Sequence, residues 1–437
     1  MRVKCESVMA DGKAVFNINK QKVFVPGVLL GEEVELIKKK RYELTHIYTE
    51  SKDRIKLACN KFYECGGCQY LHIDYKNEQV IKERYINNLF KDIYKHKINI
   101  NFMSNELNYR NKVQVTFKES KRHQLTCGLY KEGTHDIITV EDCKLHNEKS
   151  NELIKAIIGV LNKYKLRAYD EQSRNGILRH LLIRTSNLTN ESLVTIVING
   201  EVLPKRKDIV KDIINLNMGV STIIENYNNR STSIVLGDKE KVIYGPGFIT
   251  DSILDKKFII GSSTFFQINH EAVEILYSNA IDMLNLSKNE VVIDAYSGIG
   301  TIGICAANKC RQVISIESNK SSVNNAIKNA KANNLHNVNF ICDDATNRIN
   351  QFFLERKKFD ALIMDPPRDG STKQFIDAVS KLRINKVCYI SCEPTTLKRD
   401  LEIFLKNGYK IEKIECVDMF PRTFNVECVC RLERKSK

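Results

Sequence analysis

The chain has 437 residues, which at about 100–200 residues per domain leads us to expect two to four domains. With 42% hydrophobic and 28% charged residues it builds ordinary globular cores, and a disordered chain is excluded. Lys and Arg number 68 against 53 Asp and Glu, a net +15 that points to an acidic partner. RNA or DNA comes ahead of a membrane surface, because no basic amphipathic anchor is visible. The opening residues MRVKCESVMADGKAVF lack a secretory apolar stretch, and no run of about 18 apolar residues occurs. A cytoplasmic protein with no membrane contact is therefore expected. Its 14 cysteines are too sparse for a disulfide scaffold, so a cluster among them points to metal or catalysis.

Residues 1–55 read as five short strands, at 3–8, 13–18, 22–27, 33–40 and 44–50, with Gly12, Gly27 and Gly31 at turn-like intervals. This density predicts a small barrel of the oligonucleotide-binding type. Residues 1–60 carry 12 basic and 8 acidic side chains, with Lys38, Lys39, Lys40 and Arg41 in one run. That run suits either a nucleic-acid face or a solvated edge strand guarded against pairing.

Residues 56–260 read as a mixed α+β block. Cys59, Cys65 and Cys68 show the spacing C-x5-C-x2-C, with Cys143 as the expected fourth ligand. Four thiolates suit zinc or an iron–sulfur cluster, and the spacing leaves both open. A helical pattern follows over 79–90, then strands at 112–117, 178–185 and 193–199.

Residues 261–437 alternate regularly. Strands are predicted at 290–296, 312–317, 337–342, 359–365 and 386–391, with helices between, the clearest at 321–333. This is the pattern of a doubly wound, mostly parallel sheet, ended by a hairpin over 410–420 and 425–432. The fold class is thus α/β, a Rossmann-like domain preceded by the small barrel and the α+β block.

The stretch Val292–Gly303 reads as strand, glycine turn and helix start. Gly298, Gly300 and Gly303 satisfy G-x-G-x-x-G, and Glu317 ends the next strand where a carboxylate holds ribose hydroxyls. A dinucleotide is one guest. Asp294, just before the turn, suits a cationic, amino-acid-bearing cofactor better than a pyrophosphate, which favours S-adenosylmethionine; a turn that only packs strand on helix is the third reading. Asp365-Pro366-Pro367-Arg368 and Cys392 each follow a strand at the edge where open α/β sheets bind ligands. Cys392 also begins a helix, an arrangement expected to lower its thiol pKa.

Five stretches occur together: Thr264–Asn269, Asp294–Gly300, Asp365–Arg368, Ser391–Pro394 with Leu397–Asp400, and Asp418–Pro421. With Tyr109–Lys112 and Leu178–Leu181 they resemble, in order and over nearly the whole length, the RNA 5-methyluridine methyltransferases. The resemblance implies a class I methyltransferase domain, with the N-terminal barrel as a TRAM domain. It implies Cys392 as the nucleophile at carbon 6 of uracil and Glu427 as the base that removes the proton of carbon 5. It carries S-adenosylmethionine contacts to Gln267, Tyr296, Glu317, Asp344 and Asp365. The sequence Glu64-Cys65-Gly66-Gly67-Cys68-Gln69 resembles members that hold a [4Fe–4S] cluster, here on Cys59, Cys65, Cys68 and Cys143. The barrel and cysteines resemble the branch acting on 23S rRNA, preferred over tRNA, and a monomer is expected. Asn425, Glu393 and Ser297 depart from the family's usual histidine, asparagine and cysteine. Two other classes stay open: a non-catalytic RNA-binding module, and a nicotinamide- or iron–sulfur-dependent oxidoreductase. The remaining cysteines, Cys305, Cys310, Cys388, Cys428 and Cys430 among them, read as core.

Overall fold

The structure, a computed structural model, describes residues 1–120, 122 and 124–435. At the N-terminus six strands form two three-stranded sheets. One holds Arg2–Lys4, Glu33–Lys38 and Tyr42–Thr49, the other Ser7–Val8, Lys13–Ile18 and Gln21–Pro26. The first expected strand is split at Cys5, whose N–H donates to Glu32 O at 2.8 Å while its carbonyl accepts from Gly31 N at 2.8 Å. Alternation buries Ala14, Phe16, Ile18, Val34 and Leu36 in one small core. The basic run 38–41 falls at the exposed turn between two strands, where Lys39 pairs with Glu43 at 2.8 Å.

The central sheet has seven strands, ordered Ile137–Thr139, Leu125–Tyr130, Lys112–Glu119, Leu178–Thr185, Ser192–Ile198, Val220–Tyr227 and Lys239–Tyr244. Helices Glu148–Lys163 and Arg206–Ile214 cover one face, packing Leu153, Ile157 and Ile213 on Val113, Val115 and Phe117. Along Lys112–Glu119 these three alternate with Lys112, Gln114, Thr116 and Lys118, which face the other side.

The third sheet has eight strands, ordered Val338–Cys342, Gln312–Glu317, Val291–Ala295, Ala361–Met364, Lys386–Ser391, Glu427–Arg434, Tyr409–Val417 and Asn99–Asn101. The first five are mutually parallel, and the order reverses beside Val291–Ala295. Separate apolar cores cover its two faces. The terminal hairpin joins antiparallel, as expected, with Ser391 paired to Cys428. Helix Tyr75–Phe90, capped by Asp74, and the edge strand Asn99–Asn101 also belong here: Ile86, Phe90 and Ile100 enter the same core as Leu362 and Phe404.

A buried ionic network ties that helix to the hairpin turn. Lys82 Nζ donates to Glu78 Oε1 at 2.7 Å and to Asp418 Oδ1 at 2.8 Å, and Tyr75 OH donates to Asp418 Oδ2 at 2.8 Å. Arg422 donates its N–H to Glu78 Oε1 at 2.8 Å and its guanidinium to Ile73 O at 2.9 Å. Arg422 holds a φ of +67°, a conformation costly for a residue with a Cβ and kept here by this over-determined packing. Among the described residues, no helix is long and apolar enough to cross a membrane.

Candidate functional site

The strand Val291–Ala295 passes into a turn that Tyr296 opens at φ +62° and Gly300, at φ +78°, ends as the N-cap of helix Thr301–Ala306. Gly303 is required for packing: a Cβ there would sit 2.5 Å from Asp294 Oδ2. Asp294 itself is 1% exposed and accepts from Gly303 N at 3.1 Å and Ser315 Oγ at 3.3 Å. It braces the turn from inside and does not face the guest, contrary to the reading of it as a partner for a cationic cofactor. Burial pushes its pKa up to about 7.

Along the carboxyl edge of the sheet lies a cleft of about 460 Å³. Its lining includes Gln267, Tyr296, Asp365, Cys392 and Glu427 of the sequence-predicted site. Gln267 arrives on a strap, residues 262–269, that folds back over the edge. The strap is held by Asn111, which donates N–H to Ile268 O at 2.9 Å and Nδ2 to Gln267 O at 3.2 Å. Asn269 Nδ2 donates to Met419 O at 3.0 Å, and Arg184 Nη2 to Thr264 O.

Glu317 and Asp344 stand outside that lining. Glu317 Oε2 accepts from Gly298 N at 3.0 Å and Oε1 from Asn319 N at 2.7 Å, so it fixes the glycine turn from the end of its strand. Asp344 is exposed and caps helix Ala345–Leu354, accepting from Asn347 N at 2.9 Å; the Tyr296 phenol pKa is raised first by burial and further by Asp344.

Cys392 and Glu427 face each other by register. Ser391 pairs with Cys428 across antiparallel strands, so the next residue of one strand and the preceding one of the other stand opposite, about 5 Å between strands. Glu427 is 4% exposed; burial, then Asp365, push its pKa up to about 8, against the pull of Arg368. Burial alone raises Asp365 to about 7. The thiol of Cys392 goes up as well, to about 11, by burial first and then by Glu427, with Arg368 opposing through its charge and a hydrogen bond. The expectation of a lowered thiol is reversed: the helix Pro394–Lys406 begins beside it, but Glu393 occupies the N-cap, accepting from Thr395 N at 3.3 Å. Arg368 is the cleft cation that sequence reasoning left without a role, although it closes the quoted Asp365–Arg368 motif. Exposed Phe265, 71% accessible at the cleft rim, was also missed.

Cys59, Cys65, Cys68 and Cys143 come within mutual electrostatic reach: Cys59 and Cys143 both raise the pKa of Cys65 and of Cys68, the latter driven to about 12 chiefly by burial. The thiols do not converge further. Among the described residues, no group of three or more His, Cys, Asp or Glu side chains is gathered so as to hold a metal ion, which gives the expected cluster no support. Cys305, Cys310, Cys388, Cys428 and Cys430 are buried core, as read.

The sheet order and the cleft at its reversal define the class I Rossmann-like methyltransferases. A model described as tRNA (Uracil-5-)-methyltransferase matches residues 74–435. An uncharacterized RNA methyltransferase of Caldanaerobacter subterraneus is 37% identical over 442 residues, 99% of this chain and 97% of that protein. Another, of Bacillus cereus, is 34% identical over 440 residues, 98% and 95% of the two chains. The crystal structure of the Pyrococcus abyssi tRNA (uracil-54, C5)-methyltransferase with S-adenosyl-L-homocysteine shares the fold, with a TM-score of 0.78. It is 22% identical and covers 99% of this chain and 100% of that one. The chain belongs to the RNA uracil-5-methyltransferase family, whose members are S-adenosylmethionine-dependent.

Proposed function

We propose that this protein methylates carbon 5 of a uridine in 23S rRNA through a covalent Cys392 adduct, with Glu427 as the base. The observation that carries the mechanism is the opposition of Cys392 and Glu427 in the lining of one cleft, beside Arg368 and Asp365. The residues present fit S-adenosylmethionine: Gln267, Tyr296 and Asp365 line the cleft, and Glu317 fixes its turn from the neighbouring strand end. When bound, that cofactor supplies a methyl group activated on a sulfonium.

Carbon 5 of uracil is a poor nucleophile. The Cys392 thiolate forms a bond to carbon 6, and the electron pair of the ring double bond moves out as an enolate that makes carbon 5 nucleophilic. Arg368 favours the thiolate that begins this step. Once carbon 5 carries the methyl group, the Glu427 carboxylate takes its proton. The released pair re-forms the ring double bond and expels Cys392 as thiolate. Glu427, at about 8, is mostly protonated at neutral pH in the cofactor-free protein. A positive charge in the cleft lowers both it and Asp365, so the base ionises as the site is loaded.

For the RNA, the N-terminal two-sheet unit and the four cysteines support 23S rRNA by their resemblance to that branch; methylation of tRNA is the second reading, favoured by the family description. The donor set of Cys59, Cys65, Cys68 and Cys143, thiols alone, is the set a [4Fe–4S] cluster takes. Methyl transfer through a thiol adduct moves no net electrons, so we assign such a cluster a structural role. Iron and sulfide assays on anaerobically purified protein check it, and stoichiometric zinc would refute it.

Labelled methyl transfer to 23S rRNA and to tRNA from cells lacking the protein tests the target. Incorporation into tRNA alone would overturn the rRNA assignment. Glu427→Gln should trap an RNA–protein adduct stable in detergent, and Cys392→Ala should form none. Full methylation by Cys392→Ala would refute the mechanism.

A further inference from the structure

A second cavity, about 600 Å³ against about 460 Å³ for the cleft, opens on the central sheet. Thr116 and Lys118 line it from one strand, Arg179 and His180 from the next. Successive residues of a strand ordinarily point to opposite faces. Here the pairing of Leu178–Thr185 with Ser192–Ile198 shifts register between Leu178 and His180, a bulge that lets both side chains reach one cavity.

Both are buried, Arg179 at 4% and His180 at 5% exposure, and both keep unused hydrogen-bonding capacity. Arg179 Nη1 donates to Asn228 O at 2.8 Å and Arg230 O at 2.6 Å, while its buried Nε has no partner. His180 Nδ1 lies 3.1 Å from Thr116 Oγ1, and no hydrogen bond is made by Nε2 among the described residues. Burial brings His180 down to about 4, so near neutral pH it offers a polar edge without charge. The rings of Tyr130 and Tyr169 complete the wall, with the Arg179 guanidinium 4.5 Å from the Tyr169 centroid.

The charge of the lining selects among guests. Lys118, Arg167 and Arg179 are set against four carboxylates, so a free phosphate has no advantage here. A flat, uncharged ring with hydrogen-bonding edges does, and aromatic walls with polar groups at the rim are how unstacked bases are held.

The cavity is also on a track to the catalytic cleft. Lys112, Gln114, Thr116 and Lys118 share one face of that strand, and Asn111, just before it, grips the strap that carries Gln267. Four residues separate Lys112 from Thr116, about 13 Å at about 3.3 Å per residue. Lys112 stands opposite Arg184, which is buried and donates Nη2 to Ser262 O at 3.3 Å and to Thr264 O of the same strap.

We propose that the cavity binds one unpaired nucleobase of the RNA substrate, a few nucleotides from the target uridine, and so helps choose which uridine is delivered to Cys392. This rests on the reading of the substrate as RNA. The test is fluorescence anisotropy of the full chain with a labelled single-stranded RNA of about 12 nucleotides and with a trinucleotide centred on uridine. Tyr169→Ala, and independently Tyr130→Ala, should weaken the long RNA about tenfold and leave the trinucleotide unchanged. S-adenosylhomocysteine binding should be unaltered in both, which separates the effect from misfolding. Equal affinity of wild type and both variants for the long RNA overturns the cavity assignment alone. Failure of the wild type to bind either RNA overturns the substrate reading, and the cavity assignment with it.

Discussion

Glu427→Gln separates what the cleft costs the fold from what it gives the reaction. In the folded protein Glu427 ionises near about 8 against its ordinary 4.5, because burial and Asp365 disfavour the carboxylate. The folded state therefore holds a proton that the unfolded chain has released, and stability falls as pH rises from about 4.5 to about 8, then levels. At about 1.4 kcal/mol per pH unit, that interval corresponds to up to about 5 kcal/mol. A glutamine of the same shape has no proton to lose. Urea unfolding of the cofactor-free protein at pH 5 and pH 9 should show wild type losing several kcal/mol more than Glu427→Gln over the same span. Because Asp294 and Asp365 titrate in both proteins, the difference isolates Glu427. The variant should thus be the more stable protein at pH 9 and an enzyme that no longer turns over. An identical pH dependence in the two proteins would refute a buried, proton-holding Glu427 and the electrostatics built on it.

Arg422→Ala should cost about 3–5 kcal/mol by urea midpoint, because it leaves Glu78, at 0% exposure, with a buried charge less fully compensated. Gly303→Ala pushes a methyl group to 2.5 Å from Asp294 Oδ2, and calorimetry should show S-adenosylmethionine affinity falling about tenfold or more. Gly298→Ala meets no atom within 4 Å and strains only a φ of +55°, so a loss of stability of about 1 kcal/mol is expected, seen as a small shift in thermal midpoint. RNA affinity measured between about 50 and 200 mM salt should fall steeply, since the net +15 charge releases counterions from phosphates; a flat response would remove the electrostatic account of RNA binding.

The parallel strands were legible because each is an apolar run bounded by turn residues, and Gln312–Glu317 and Lys386–Ser391 begin and end where the pattern says. The edge strand Asn99–Asn101 was not. Three residues carry no periodicity, and its partner Tyr409–Val417 is far away in the chain. At the site, strand ends located Cys392 and Asp365. The direction of the Cys392 pKa was misread because a nearby helix start shows in sequence, whereas burial and a facing glutamate are tertiary facts. Asp294 was misassigned for a similar reason: the strand's alternation does not reveal that Gly303, nine residues on, turns its N–H back to that carboxylate. Arg368 and Phe265 were in view as letters of motifs, without the cleft that gives them work.

The contact between Lys82 and Asp418 spans 336 residues. On a ribosome adding about 5–20 residues per second, Lys82 and Glu78 wait roughly 20–70 seconds for the partners that complete their burial. Until then the helix Tyr75–Phe90 carries charges it cannot bury, and the sheet edge at Asn99–Asn101 has nothing to pair with. The segment that ends this wait is the same hairpin that brings Glu427 to the cleft. Completion of the fold and arrival of Glu427, the base we propose, are thus one event. A chain cut short before residue 418 lacks Glu427–Arg434, which leaves Lys386–Ser391 as an unpaired sheet edge and the cleft without Glu427.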